Sequence, residues 1–339
     1  MSMSQQHRAP TRKDVAELAG VSETIVSYVL NDNRYVSEDK RRRVKEAVAQ
    51  LHYRPNSIAR ALKGKGNSHI LFIADNIANE HFGRLVREMD AVAYDKGYIV
   101  SLMGARNSAD FINRILARQV DAVIISSASL EDRYIQQLID AGLPVVLLMS
   151  RDYGSIAGRV ARIYTGIESG IMAAVRLLYD SGCRHLVHVD RVSQSGHFSD
   201  RRDRRYRGFC NQMEALGLPL SQHSFVSRCR DHDELYDAVC ARLKSGVPVD
   251  GFVCRNDYLA FTVMSAVKHC GLRVPEDVCI IGNDNASMST VMYPPLSTLE
   301  PDRPQIAKAA LELIDAMIRG EDPEECYFTT KLIRRATTR

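Results

Sequence analysis

Residues 14–31 read DVAELAGVSETIVSYVLN and predict two short helices joined by a tight turn. On a helical wheel with about 100° per residue, the second helix has two distinct faces. The face that can be buried consists of Ile25, Val26, Val29 and Leu30. The opposite face offers a carboxylate, hydroxyl groups, a phenol and an amide, contributed by Glu23, Thr24, Ser27, Tyr28 and Asn31. Groups of this kind suit base edges and phosphate oxygens, so the stretch predicts contact with DNA.

The flanking residues complete a small three-helix domain over residues 11–55. Thr11 and Asp14 have the spacing of a capping box, Gly20 permits the turn, and Ser22 can cap the second helix. The apolar side of the first helix is predicted to contain Val15, Ala16, Leu18 and Ala19. A third helix, beginning at Ser37, carries at helical spacing Val44, Ala47, Val48 and Leu51. Three short helices around one apolar cluster form the minimal helix-turn-helix domain.

A short hinge is predicted next in the chain. Pro55 is expected to end the third helix, and residues 56–63, NSIARALK, read as a further helix capped by Asn56. A helix of about seven residues is not stable alone in water, so it needs a second copy of the chain, DNA, or both. GKGN at 64–67 follows as a flexible linker, which makes 56–67 a hinge helix and linker. Residues 1–10 are expected to be a flexible N-terminus.

The positive charge of the chain is concentrated in this first segment. Residues 1–66 contain 13 Lys and Arg against 7 Asp and Glu, whereas the remainder has 32 against 34. Such asymmetry is typical of a nucleic-acid-binding arm on a neutral body. The run KRRR at 40–43 is either a solvated charged face or a set of phosphate contacts.

From His69 onward, short apolar runs alternate with amphipathic segments. The predicted strands are 69–75, 98–103, 121–127, 144–149, 160–164, 185–190, 251–255 and 278–282. The predicted helices lie near 82–95, 109–118, 130–140, 168–180, 203–216, 233–245 and 257–270. This repeated βαβ pattern predicts an α/β core of doubly wound parallel sheets with helices on both faces. There are more predicted strands than one sheet needs, so we expect two similar lobes. The N-lobe would comprise about 68–163 and 297–324, and the C-lobe about 164–296 and 325–339.

Polar residues follow the carboxyl ends of these strands, where doubly wound sheets bind ligands. In chain order they are Asp75-Asn76, Ser126-Ser127, Ser150-Arg151, Asp190-Arg191, Arg255-Asn256-Asp257 and Asn283-Asp284-Asn285. Any one of them can equally be a loop or helix-capping residue. As a set they predict a cleft between the lobes for a small polar molecule.

Several other protein classes are disfavoured. No run of about 18 apolar residues is present to span a membrane, and the polar, basic N-terminus does not resemble a signal peptide. The eight cysteines form no CxxC pair, which favours a reduced cytosol and no metal site. A phosphate-binding loop, a GxGxxG after the first strand, HExxH and GxSxG are all absent. We therefore expect a cytoplasmic protein that is not an enzyme and needs no cofactor.

Residues 14–31 and the later YVSEDKRRRVKEAVAQLHYRPNSIARALK resemble the DNA-binding and hinge segment of the LacI/GalR (lactose/galactose repressor) family. The resemblance continues in order through AGLPVVLL, RRYRGF, RNDYLAF, GLRVPEDVCIIGNDN and YPPLSTL. It implies a homodimer with a helix-turn-helix head, a hinge helix and a core similar to periplasmic sugar-binding proteins. The implied partners are a pseudo-palindromic double-stranded DNA operator and a small, sugar-like effector.

By position, the resemblance puts the second helix in the major groove and Leu62 of the hinge in the central minor-groove step. Many family members have Arg or His where this chain has Tyr28. Tyrosine cannot make the bidentate guanine contact of an arginine, so a different operator half-site is expected. The implied DNA contacts are Thr11, Ser22, Glu23, Thr24, Ser27, Tyr28, Asn31, Tyr53, Asn56, Ser57, Ala59, Leu62 and Lys63.

The same resemblance implies effector contacts in the core, namely Asp75, Phe82, Ser126, Arg205, Asn256 and Asp284. An arginine such as Arg205 suits a hydroxyl pair, a carboxylate or a phosphate. Asn256 and Asp284 suit ligand hydroxyl groups, and Phe82 can supply an apolar wall.

Two departures from the family pattern bear on the effector. Met149 stands five residues after Pro144, where the family often has an aspartate, so a usual sugar-hydroxyl contact is lost. The run RRDRRYR at 201–207 is unusually basic. It is either a surface charge face or a sign of an anionic effector.

These features predict a sequence-specific transcription repressor whose operator affinity is controlled by a small polar effector between two lobes. An activator or dual regulator of the same family is an alternative. A solute-binding protein and a sugar-modifying enzyme have less support. The chain ends in LIRRATTR without a leucine heptad, so a dimer is expected rather than a tetramer.

Overall fold

The computed structural model describes residues 10–31, 34–53, 68–118, 120–154, 156–193 and 196–339. The chain divides into two compact units, residues 1–67 and residues 68–339. The predicted hinge helix over 56–63, with Leu62, lies outside the described residues. None of the described helices is long and apolar enough to cross a membrane.

The first unit, called the head below, contains three helices among its described residues: α1 (Arg12–Ala19), α2 (Glu23–Asn31) and α3 (Glu38–Gln50). The predicted capping box is present, because Asp14 N–H donates to Thr11 Oγ1 at 3.3 Å and Thr11 N–H donates to the Asp14 carboxylate at 2.6 Å. Gly20 ends α1 with a φ of +61°, a conformation that glycine adopts without steric cost. Ser22 Oγ accepts from Ile25 N–H at 3.3 Å at the start of α2. The local signals therefore produce the predicted helix-turn-helix.

The head has its own apolar core, formed by Val15, Ala16, Ala19, Val26, Val29, Val36, Val44, Ala47 and Tyr53. The prediction that Leu18 belongs to the apolar side of α1 is wrong, because its side chain is 47% exposed. On the helical wheel Leu18 lies about 60° from Val15, on the side away from Ala16 and Ala19. Val15, Ala16 and Ala19 pack in the apolar core of the head, so Leu18 faces outward.

The second unit, called the core below, has these strands in chain order: β1 (His69–Ala74), β2 (Ile99–Gly104), β3 (Ala122–Ser126), β4 (Val145–Leu148), β5 (Val160–Tyr164), β6 (Leu186–Val189), β7 (Phe225–Val226), β8 (Gly251–Cys254), β9 (Cys279–Ile281), β10 (Thr298–Pro301), β11 (Glu325–Tyr327) and β12 (Thr330–Ile333). Its helices are α4 (Glu80–Asp95), α5 (Ala109–Ala117), α6 (Asp132–Asp140), α7 (Ile167–Asp180), α8 (Arg204–Ala215), α9 (His232–Lys244), α10 (Asp257–His269), α11 (Met288–Val291) and α12 (Arg303–Ile318). The predicted alternation of strands and helices is confirmed.

Ten of these strands form two parallel sheets, one in each lobe, and β10 and β12 form a separate antiparallel pair. The N-lobe sheet has the order β11-β5-β4-β3-β1-β2, and the C-lobe sheet has the order β7-β6-β8-β9. Alternate residues of β1 point to opposite faces, so Ile70 and Phe72 pack under α4 and α12 while Leu71 and Ile73 pack under α5 and α6. The same two-sided burial occurs in the C-lobe. The doubly wound α/β prediction is therefore confirmed.

The chain returns between the lobes near its end, and here the predicted lobe boundaries need correction. Residues 325–327, predicted to open the last C-lobe segment, form β11, which pairs with β5 in the N-lobe sheet. Residues 298–301 form β10, which pairs antiparallel with β12. Strand β11 is short and largely exposed, so it lacks the apolar run that reveals the other strands. Helix α12, which packs on the N-lobe sheet, was also not predicted.

Candidate functional site

The polar face of α2 lies on the surface of the head. Ser22, Glu23 and Thr24 are exposed, whereas Ser27 and Tyr28 are half-buried. The Tyr28 ring rests against the apolar core of the head, and the guanidinium carbon of Arg34 lies 5.3 Å from its centroid. The position of the phenol is therefore fixed from two sides. The side chain of Asn31 lies outside the described residues.

Two of the implied DNA contacts have structural roles within the head. Tyr53 is only 7% exposed because its ring packs in the apolar core. Thr11 uses its hydroxyl group in the capping box. Asn56, Ser57, Ala59, Leu62 and Lys63 lie outside the described residues.

Part of the basic run at 40–43 forms ion pairs within α3. Arg42 contacts Asp39 at 2.9 Å and Glu46 at 3.2 Å, and Arg43 contacts Asp39 at 3.2 Å. All of these side chains are well exposed, so the pairs are weak and can exchange for phosphate contacts.

A polar cavity of about 790 Å³ lies between the two lobes of the core, called the main cavity below. The residues predicted to contact an effector all line it: Asp75, Phe82, Ser126, Arg205, Asn256 and Asp284. Each lies on or beside the carboxyl end of a strand, or in the first turn of the helix that follows. Parallel strands bring such ends to one edge of each sheet, which explains why distant residues meet here.

Asp75 is held rigidly at the end of β1. Its carboxylate accepts hydrogen bonds from Ser127 Oγ, from Ser129 Oγ at 2.6 Å and from Ala128 N–H at 2.8 Å, and Arg191 lies 3.5 Å away. Burial acts to raise the pKa of Asp75, but these hydrogen bonds and the Arg191 charge lower it. Asp75 is therefore an ionised acceptor at neutral pH.

A buried ion network in the C-lobe positions the start of α8. Asp203 caps α8 by accepting from the N–H groups of Arg205 and Tyr206, and it also binds Arg191 at 2.9 Å and Arg255 at 2.7 Å. Burial acts to raise the pKa of Asp203, but Arg255 and Arg191 lower it well below its usual range. Arg191 and Arg255 belong to the set of polar strand-end residues that predicts the cleft, and both line the main cavity. They were not among the effector contacts implied by the family resemblance.

Arg205, one residue into α8, carries a charge without a matched counter-ion. Among the described residues, its Nε has no hydrogen-bond partner and no carboxylate oxygen lies within 4.0 Å of its guanidinium. Burial lowers the pKa of Arg205 to about 10, so the group stays protonated at neutral pH. A partly buried cation of this kind is destabilising until a ligand supplies acceptors.

Asp284 faces Arg205 from the turn after β9. Its φ of +106° is unusual for a residue with a side chain, and Asn283 Nδ2 donates to its carboxylate at 2.7 Å. Burial raises the pKa of Asp284 to about 6, although Arg205 and Arg303 act in the opposite direction. The carboxylate therefore titrates close to physiological pH.

The remaining predicted residues have more limited roles. Asn256 Oδ1 caps α10 by accepting from Leu259 N–H at 3.0 Å, so a ligand would meet its amide nitrogen and not its oxygen. Phe82 packs edge-on against Phe72 with ring centroids 6.0 Å apart, and provides the predicted apolar wall. Met149 is buried in the N-lobe with 4% exposed, and its neighbour Ser150 lines the main cavity instead.

The basic run at 201–207 is mainly an ion-pairing face. Arg204 and Arg207 both contact Asp152 and Glu168, with Arg204 at 2.8 and 3.1 Å. Arg201 and Arg202 pair at the surface with Glu214 and Asp200. Arg205 is the arginine of this run that lines the main cavity.

Sequence comparison finds two family matches. Residues 11–56 match bacterial regulatory proteins of the lacI family, and residues 175–338 match a periplasmic binding protein-like domain. The HTH-type transcriptional repressor PurR of Vibrio parahaemolyticus serotype O3:K6 (strain RIMD 2210633) is 29% identical over 328 residues, covering 94% of this chain and 95% of that protein. PurR of Glaesserella parasuis serovar 5 (strain SH0165) is 28% identical over 322 residues, covering 93% and 92%.

Solved structures have a similar fold. The lac repressor dimer bound to operator and the anti-inducer ONPF has a TM-score of 0.81 at 23% identity, covering 97% of this chain and 99% of that chain. The complex of transcriptional regulator CelR with cellobiose has a TM-score of 0.70 at 22% identity, with the same coverage. A periplasmic binding protein/LacI transcriptional regulator from Alkaliphilus metalliredigens QYMF, complexed with D-xylulofuranose, has a TM-score of 0.66 at 25% identity, covering 80% and 99%.

Proposed function

The chain belongs to the LacI family of bacterial transcription regulators, and we propose that it is a homodimeric repressor whose operator affinity responds to a sugar-like ligand held in the main cavity. As a member of this family it is a DNA-binding transcription regulator. The operator geometry, the sign of the response and the ligand class are parts of the proposal.

DNA recognition is proposed to depend on the exposed face of α2 in the major groove. Glu23 and Thr24 are free to approach base edges, and Tyr28 is held in place by Arg34 and the core of the head. Phosphate contacts come from the basic residues within residues 1–66, so DNA binding is steeply salt-dependent. Leu62 enters the central minor-groove step of a pseudo-palindrome, with one copy from each protomer.

Ligand binding is proposed to depend on Arg205, supported by Asp75, Asn256 and Asp284. The observation that supports this most strongly is the guanidinium of Arg205, which lines a cavity reached by both lobes without a matched acceptor among the described residues. The ligand supplies that acceptor, while its hydroxyl groups donate to Asp75 and Asp284. The CelR complex contains cellobiose and the Alkaliphilus regulator contains D-xylulofuranose, which supports a sugar-like ligand here.

The coupling between ligand and operator is proposed to be a two-state change in lobe closure. Arg205 and Asp284 belong to the C-lobe, whereas Asp75 and Phe82 belong to the N-lobe, so a ligand that touches all four favours one relative arrangement of the lobes. A ligand shifts the operator affinity only by its difference in affinity for the two states.

Two measurements test the proposal. Selection from random DNA by the full-length protein should enrich a pseudo-palindrome, and enrichment of no motif would reject the operator assignment. A thermal-shift screen of sugars, sugar acids, sugar phosphates and nucleosides should find a stabilising ligand, because a ligand that binds the native state raises the melting temperature. The ligand should then change operator affinity, and in vitro transcription with and without it distinguishes a repressor from an activator.

A further inference from the structure

A second, smaller cavity lies directly behind the main cavity. Its volume is about 40 Å³, and it shares with the main cavity a wall formed by His81, Ser126, Ser150, Arg205 and Asp284. Asn283 and Arg303 line only the smaller cavity of the two. We call this space the inner compartment, and its position makes it an extension of the ligand site.

The inner compartment concentrates polar atoms that lack partners. Among the described residues, Arg205 Nε, Arg303 Nε and Asn283 Oδ1 are buried without any hydrogen bond. Arg303 is 4% exposed and Asn283 is 1% exposed, so water cannot satisfy them from the surface. Buried polar groups are nearly always hydrogen-bonded, so unpartnered polar atoms gathered around one small cavity indicate that something polar belongs there.

The charges around the inner compartment do not balance. Its ionisable lining consists of two guanidinium groups, one carboxylate and one imidazole: Arg205, Arg303, Asp284 and His81. Burial and the nearby arginines hold the pKa of His81 well below its usual range, and Arg303 Nη2 lies 3.4 Å from His81 Nδ1, which suits a neutral acceptor. With Asp284 ionised, the lining therefore carries one excess positive charge.

We propose that the inner compartment receives the carboxylate of the ligand, and that the ligand is a sugar acid with a hydroxyl group next to its carboxylate. This inference rests on the proposed function. The Nε–H groups of Arg205 and Arg303 donate to the carboxylate of the ligand, and Asn283 Oδ1 accepts from the hydroxyl group next to it. A volume of about 40 Å³ can hold about three water-sized atoms, which is enough for the three heavy atoms of a carboxylate. A single negative charge neutralises the lining, whereas a phosphate brings close to two.

The carboxylate would also join the lobes. Arg205 lies at the start of α8 in the C-lobe, whereas Arg303 begins α12, which packs on the N-lobe sheet. Arg303 also donates to the backbone oxygen of Asp284, the residue with the positive φ in the main cavity. A charge held by both guanidinium groups would therefore favour the closed arrangement of the lobes directly.

The test compares matched ligands on the full-length protein by calorimetric titration. The pairs are D-gluconate with D-glucitol, D-galactonate with D-galactitol, and D-mannonate with D-mannitol. Each acid has a hydroxyl group on the carbon next to its carboxylate, and each neutral partner has a CH2OH group in place of the carboxylate. At least one acid should bind tenfold or more tightly than its neutral partner, since hydrogen bonds to charged groups are worth about a tenfold factor or more. Arg303→Gln should remove that preference, so that the acid and its neutral partner bind this variant within threefold of each other. Arg303→Lys should retain part of it.

The other outcomes overturn the inference in distinguishable ways. Neutral sugars that bind as well as their acids, with no effect of Arg303→Gln, would reject the carboxylate assignment and leave the proposed function intact. A saturable stabilisation by sodium chloride alone, lost in Arg303→Gln and accompanied by no acid preference, would assign the compartment to a free anion. If no sugar of either kind binds a protein that still selects its operator, the sugar-like ligand fails and this inference fails with it.

Discussion

Replacing Arg205 with methionine should make the core more stable while abolishing its response to ligand. The folded core opposes the charge of this guanidinium, since burial lowers its pKa from 12.5 to about 10. A depressed pKa of a basic group means that the charged form is disfavoured on folding at every pH below the folded pKa. One pKa unit corresponds to about 1.4 kcal/mol, so the shift corresponds to roughly 3 kcal/mol. Because part of the Arg205 side chain reaches solvent in the main cavity, the full value does not apply. We expect Arg205→Met to increase the free energy of unfolding by about 1–2 kcal/mol.

Arg207→Met is the matched control, because it makes the same substitution on the same helix. Arg207 donates to Glu168 at 2.8 and 2.5 Å and also binds Asp152. Its loss leaves these two carboxylates with less positive charge, so the melting temperature should fall. In thermal unfolding of the full-length protein, each kcal/mol corresponds to about 2–4 °C. Arg205→Met should melt higher than the wild type, and a ligand that stabilises the wild type should not shift it. A melting temperature that falls as it does for Arg207→Met would mean that the guanidinium is well satisfied in the folded core.

Three further predictions concern the head, the hinge and the C-lobe interior. Leu62→Ala should weaken operator binding more than threefold in a fluorescence anisotropy titration, because we propose that this leucine is the wedge that opens the minor groove. A smaller change would contradict its insertion. Tyr28→Phe should alter the base preference of each half-site in a selection from random DNA, since it removes the phenol oxygen and keeps the packed ring, and an unchanged profile would exclude readout by that oxygen. His188 is fully buried against Tyr206, Phe209 and Phe225, and burial lowers its pKa from 6.5 to about 4. As the pH falls below 6.5, His188 becomes protonated in the unfolded chain, whereas in the folded core it stays neutral until about pH 4. The free energy of unfolding therefore falls across this window. His188→Phe should reduce that fall by up to about 3 kcal/mol in urea unfolding between these pH values; an unchanged slope would mean that His188 does not titrate there.

Much of the lining of the main cavity was predictable because strand ends in a doubly wound sheet have a fixed relation to one another. An apolar run followed by a polar residue locates Asp75, Ser126 and Asp284 without any knowledge of the fold in three dimensions. The side chains that follow such ends meet at one edge of each sheet. The same rule included Arg191 and Arg255, and both line the main cavity.

Other features depend on contacts that no local pattern encodes. Arg303 follows Pro301 and Asp302 at a helix start, where a charged residue normally faces solvent, yet it is buried beside Asp284. Tyr53 lies close to the predicted hinge, but the apolar core of the head takes up its ring. The edge strand β11 has only three residues and no apolar alternation. In each case tertiary packing decides the outcome, and the sequence signal is weak or points elsewhere.

The return of the chain to the N-lobe through β11 has a consequence for the newborn protein. This strand follows β1 by about 250 residues, so the N-lobe sheet cannot be completed until almost the whole core has left the ribosome. At a synthesis rate of about 5–20 residues per second, that interval lasts on the order of ten to fifty seconds. The head, whose buried cluster ends at Tyr53, is fully translated before the first strand of the core emerges. Each nascent chain therefore passes through a period in which the DNA-reading part is complete and the part that controls it is still being made.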